Sequence, residues 1–126
     1  MSLRDYRVNA VIAVSDMRRA VDFYEGKLGL RPAVDEVDGG RTYWCGARTS
    51  LHIFPHPDAA PSGATVAGWT VRHIEPLVDE LSAAGVTFEH YSEPLTTDEK
   101  GIAHFGRRKA AWFKDPDGNT LVLIQE

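Results

Sequence analysis

The chain has 126 residues, with hydrophobic residues at 43%, charged residues at 25% and aromatic residues at 10%. That length suits one ordinary globular domain, and the composition excludes intrinsic disorder, collagen and a coiled coil. One cysteine, Cys45, excludes an internal disulfide framework and a Cys-rich zinc module. A net charge of −4 argues against nucleic acid as a partner, which needs clustered positive charge.

The first seven residues hold two arginines and no apolar stretch behind them, so no targeting segment is expected. The longest apolar run, Ala10 to Val14, is strand-sized and far short of a membrane span, which points to a cytoplasmic protein with no membrane partner. Arg7 to Val14 reads as a strand, with Asn9 marking one of its faces. Ser15-Asp16 is a helix-capping signal, and Met17, Ala20, Val21, Tyr24 and Leu28 recur at helical spacing before Gly29. Leu30 to Val37 reads as a strand, Asp38-Gly39-Gly40 as a hairpin turn, and Thr42–Cys45 and Leu51–Phe54 as two more strands.

Residues 55–63, with three prolines, form the one linker-like stretch. The pattern then repeats. Thr65 to Val71 reads as a strand and Ile74 to Ala84 as a helix whose Pro76 sits in the tolerant first turn. Val86 to Tyr91 reads as a strand and Ser92 to Gly106 as a long polar loop. Ala110–Lys114 and Thr120–Gln125 are the last strands, joined by the tight turn Asp115-Pro116-Asp117-Gly118-Asn119. The halves are thus two β-α-β-β-β modules within one domain spanning 1–126: module one at 5–57, the linker at 55–63 and module two at 64–126. Leu51-His52-Ile53 matches Leu121-Val122-Leu123 between them. Charge is balanced at eight against eight up to residue 63. It falls to six basic against ten acidic residues beyond it.

The run Ser15-Asp16-Met17-Arg18-Arg19-Ala20-Val21-Asp22-Phe23-Tyr24, with Leu28-Gly29-Leu30 and Trp112-Phe113-Lys114-Asp115-Pro116-Asp117-Gly118-Asn119-Thr120-Leu121, resembles the vicinal oxygen chelate superfamily of glyoxalases, bleomycin resistance proteins and extradiol dioxygenases. The resemblance covers nearly the whole chain. It implies an α+β fold in which two tandem βαβββ modules curl a mixed sheet around a cavity, with helices outside, often completed as a homodimer. Metal-dependent members of the family carry ligands at positions that fall here on Asn9, His52, Val66 and Val122. Valine offers no lone pair and asparagine is a weak ligand, so no metal and no other cofactor is expected.

Period-two alternation then places Val11 with Asn9, Phe54 with His52 and Gly68 with Val66 on one cavity face. The candidate ligand-binding set is Asn9, Val11, Tyr43, His52, Phe54, Val66, Gly68, Trp112 and Val122, with Trp44 and Trp112 in similar places of the two modules. His104, Phe105 and Arg107 are candidates for a lid. A mostly apolar cavity with a few polar groups suits a small organic ligand. Two readings stand side by side. One is a metal-free small-molecule-binding protein. The other is a lyase, isomerase or dioxygenase-type enzyme, either with His52 as acid and base or with non-standard metal ligands.

Overall fold

The computed structural model describes residues 2–31 and 33–126, so Pro32, within the predicted strand Leu30–Val37, lies outside the described residues. The chain divides into two compact units, residues 1–60 and 61–126. Each contains one four-stranded mixed sheet and one α-helix, an α+β architecture. No helix among the described residues is long and apolar enough to cross a membrane.

In the first unit β1 (Ala10–Val14), β2 (Ala33–Asp35), β3 (Arg41–Trp44) and β4 (Ser50–Pro55) lie in the order β1-β4-β3-β2. β1 runs parallel to β4, and the other pairs are antiparallel. The β-branched alternation of β1 buries Ile12 and Val14 and leaves Val11 60% exposed; β4 likewise buries Leu51 and Ile53 between half-buried His52 and Phe54. Helix α1 (Met17–Val21) starts where the Asp16 carboxylate accepts from the Arg19 N–H at 3.2 Å. The apolar spacing predicts one helix up to Leu28. Instead the chain widens after Val21 into a π-helical turn over Asp22–Lys27, with the Leu28 N–H reaching back to the Phe23 carbonyl. Strand β2 is shorter than predicted, and all three of its residues are exposed.

In the second unit β5 (Thr65–Val71), β6 (Ile102–Phe105), β7 (Arg108–Lys114) and β8 (Thr120–Gln125) lie in the order β5-β8-β7-β6. Helix α2 (Ile74–Ala83) buries Ile74, Val78 and Leu81, and the Gln125 side-chain carbonyl accepts from the Ile74 N–H. The predicted strand over 86–91 is absent. Phe88 alone pairs, as an isolated bridge to Phe113. The module keeps its β-α-β-β-β order because its second strand is β6, inside the predicted polar loop 92–106. Buried Ile102 and Ala103 pair with Ala111 and Ala110, a run too short to stand out from its polar flanks. Asp98 launches β6 by accepting the backbone N–H groups of Lys100 and Ile102. Phe113 centres this core, with Trp69 stacked at 6.3 Å and Phe88 edge-on at 5.4 Å.

Candidate functional site

Because side chains alternate along a strand, each sheet has a core face and an open face. On the open face of the first unit, register sets His52 between Val11 of β1 and Thr42 of β3. The turn between β2 and β3 reaches over this pair. Asp38 lies 2.7 Å from His52 Nε2, Thr42 Oγ1 lies 2.9 Å from His52 Nδ1, and the Thr42 hydroxyl donates to Glu36. The single proton of Thr42 is committed to Glu36, so the Thr42 oxygen acts as an acceptor toward His52. Both ring nitrogens therefore face acceptors. Phe54 stacks on the ring at 5.9 Å. The Gly40 N–H and then His52 hold the Asp38 carboxyl below its ordinary value. Asp38 and Thr42, the partners of His52, and Glu36 behind Thr42 were missed from sequence. Their signal is the Glu-x-Asp spacing of a hairpin turn whose Thr42 falls opposite His52.

Thr42→Val keeps the shape and removes the hydroxyl, leaving His52 Nδ1 and Glu36 without their bridge. The expected loss is about 1 kcal/mol of stability, measured by urea denaturation, with faster exchange of the Nδ1 proton in nuclear magnetic resonance spectra. Unchanged stability and exchange would remove Thr42 from the network.

The other predicted residues of this unit separate. Asn9 accepts from the Ser50 hydroxyl at 2.8 Å and stays exposed. Val11 and Phe54 share the open face with His52. Tyr43 does not: it is fully buried on the core face, and its hydroxyl donates to Glu25. Trp44 is 41% exposed with the Arg7 guanidinium over its ring. Its expected likeness to Trp112 fails on register. Trp112 pairs with Val122 as Thr42 pairs with His52, so the counterpart of Trp112 is Thr42.

On the open face of the second unit two rows cross the strands. Lys114, Thr120 and Thr65 form one, and Trp112, Val122 and Gly68 the next. Val122 is almost fully buried, and a Cβ at Gly68 would sit 2.6 Å from Val122 Cγ1, so glycine is required for β5 to lie this close to β8. A bulge displaces Val66. The register partner of Thr120 is Thr65, and Val66 is the extra residue. The first row and Trp112 floor part of a recess of about 660 Å³, walled by Tyr91, Leu95 and Pro61. The Tyr91 ring meets the Trp112 ring edge-on at 5.8 Å. Glu89 and Leu95 were missed because they belong to stretches read as a strand and a loop. The lid candidates lie elsewhere in the unit. His104 and Phe105 are exposed residues of β6, His104 is paired with Asp98 at 3.0 Å, and exposed Arg107 follows in the hairpin turn.

The family model described as Glyoxalase/Bleomycin resistance protein/Dioxygenase superfamily matches residues 7–123. The chain belongs to that superfamily. Solved structures of the same fold include a superfamily member from Sphaerobacter thermophilus DSM 20745, 30% identical, covering 96% of this chain and 97% of that one with a TM-score of 0.67. TnmS3, an antibiotic binding protein from Streptomyces sp. CB03234, is 24% identical, with coverages of 95% and 94% and a TM-score of 0.69. FosX, a fosfomycin resistance protein from Listeria monocytogenes, is 12% identical, with coverages of 96% and 93% and a TM-score of 0.68. No curated protein matches the chain.

The donor set of this superfamily member does not fit a divalent metal. His52 has both ring nitrogens engaged, the Asn9 carbonyl oxygen is taken by Ser50, and Val66 and Val122 are hydrocarbon. Thr65, brought into register by the bulge, adds only a neutral hydroxyl. Among the described residues no three His, Cys, Asp or Glu side chains gather to hold an ion.

Proposed function

We propose that this superfamily member is a metal-free small-molecule-binding protein. The observation that carries the reading is the recess on the second sheet's open face. Its volume of about 660 Å³ is ligand-sized, and Trp112 with edge-on Tyr91 offers an aromatic corner for a planar ring. Support also comes from His52, whose nitrogens serve Asp38 and Thr42 and so are not free for acid–base work.

The reading predicts that tryptophan fluorescence is quenched saturably by naphthalene-2-carboxamide, a neutral planar probe, and that Trp112→Leu abolishes the response. It also predicts that the purified protein carries no stoichiometric divalent metal by elemental analysis and gains no melting temperature from added Zn²⁺ or Mn²⁺. A stoichiometric metal would overturn the metal-free half. Probe binding that survives Trp112→Leu would place the ligand elsewhere.

A further inference from the structure

The recess has a chemical polarity as well as an aromatic corner. On its Lys114–Thr120–Thr65 row every polar group can donate. The hydroxyls of Thr65 and Thr120 carry no hydrogen bond to another described residue. The Ser62 hydroxyl, on the same wall, accepts from the Ala64 N–H and keeps its own proton to give. Lys114 is half exposed and only loosely paired, 3.5 Å from Glu89.

Among the described residues, Glu89 is the one carboxylate lining the recess. It approaches from the flank of β7 opposite β8, since its own N–H bonds to the Trp112 carbonyl while Thr120 pairs with Lys114 from the other side. Lys114 thus has a carboxylate on one flank and two unpartnered hydroxyls on the other. An anion over the threonines completes that second flank. A cation there would meet the like charge of Lys114. The acidic surplus of residues 64–126 does not reverse this, because charges beyond about 8 Å are screened at physiological salt while contact pairs are not.

From the Lys114–Thr120–Thr65 row and the aromatic corner beside it we infer that the recess binds a planar aromatic acid, its ring against Trp112 and Tyr91 and its carboxylate over Lys114, Thr120 and Thr65. Charge-assisted hydrogen bonds to a lysine ammonium and hydroxyls are the stronger kind, so the charge state of the ligand decides affinity. The inference rests on the proposed small-molecule-binding role of the same recess.

The test uses three probes of one shape, 2-naphthoate, naphthalene-2-carboxamide and 2-naphthylmethylammonium, titrated by calorimetry and tryptophan fluorescence at near-physiological salt. Naphthoate is expected to bind about tenfold tighter than the carboxamide and tighter still than the ammonium probe. Lys114→Met, at a half-exposed strand position, should abolish the preference by weakening naphthoate far more than carboxamide; Thr120→Val should likewise weaken naphthoate more than carboxamide. If the carboxamide binds at Trp112 but naphthoate binds no better, or Lys114→Met changes nothing, the aromatic-acid assignment fails and the binding role stands. If none of the three binds, the binding role itself fails and this assignment with it.

Discussion

Asp115→Ala should cost about 3 kcal/mol of folding stability, lowering the melting temperature by roughly 10 °C in a chain of this size. Asp115 is buried, and its carboxylate accepts the Asp117 N–H at 2.9 Å, the Asn119 N–H at 2.8 Å and the Asn119 amide at 2.9 Å. Alanine would leave the buried Asn119 donors without that acceptor, and an unmet buried donor costs more than a made bond returns. Asp115→Asn keeps one oxygen for the two backbone donors and should lose about half as much. The damage should reach function, because the same turn places Gly118 and Thr120 on the recess, with Pro61 packed over Gly118. Probe affinity should therefore fall in Asp115→Ala even at temperatures where the variant is folded. Denaturation curves of the alanine variant within 1 kcal/mol of wild type would show that the turn holds without its carboxylate.

That turn was legible from sequence because its chemistry is local: proline, glycine and the Asp115 carboxylate act within five residues. The same holds for β1, β4 and β8, whose alternation reports burial directly, and for the Asp16 cap. His52 was legible as a special position through the internal match to Val122. Register bears that match out, pairing His52 with Val11 as it pairs Val122 with Gly68. What failed depended on partners distant in the chain. Whether Val86–Tyr91 or Ile102–Phe105 became the strand was decided by which could pair along β7. Nothing within either segment states that. The bulge at Val66 exchanges a valine for Thr65 opposite Thr120, and one-residue irregularities leave no periodic trace. Tyr43 stood among the binding candidates because a four-residue strand with an arginine and a threonine beside it alternates too briefly to orient; it lies buried on the core face.

Tyr43 leads to the second large effect. Glu25, in the π-helical turn, accepts from the Tyr43 hydroxyl at 2.8 Å and pairs with Arg41, which also bonds Asp35. Glu25→Ala should cost about 2–3 kcal/mol. Most of that comes from stranding a hydroxyl on a fully buried ring. The ion pair, a quarter to a third exposed on each side, adds a fraction of 1 kcal/mol after solvent screening. Tyr43→Phe removes the donor and its need together, so it should cost under about 1 kcal/mol. Adding Glu25→Ala to it should then cost far less than it does alone, the non-additivity that a double-mutant cycle reads.

Acid gives an independent check on the same carboxylate. Burial alone would raise the Glu25 carboxyl, yet hydrogen bonds from Tyr43 and Arg41, with the Arg41 and Arg31 charges, hold it below its ordinary 4.5. A carboxyl lowered in the folded state contributes stability that is present above its unfolded value and lost as pH falls through the folded one. The stability gap between wild type and Glu25→Gln should therefore be widest near pH 6 and close as pH drops below 4.5. At the alkaline end, burial first and then Glu25 push the Tyr43 hydroxyl well above its usual 10. The unfolded chain then releases that proton first, so stability falls above pH 10 in wild type and less in Tyr43→Phe. Parallel denaturation series at pH 3.5, 6 and 10.5 separate the two ends. A wild-type to Glu25→Gln gap that stays constant from pH 6 to 3.5 would mean that Glu25 is not held as a carboxylate by the tyrosine and arginine around it.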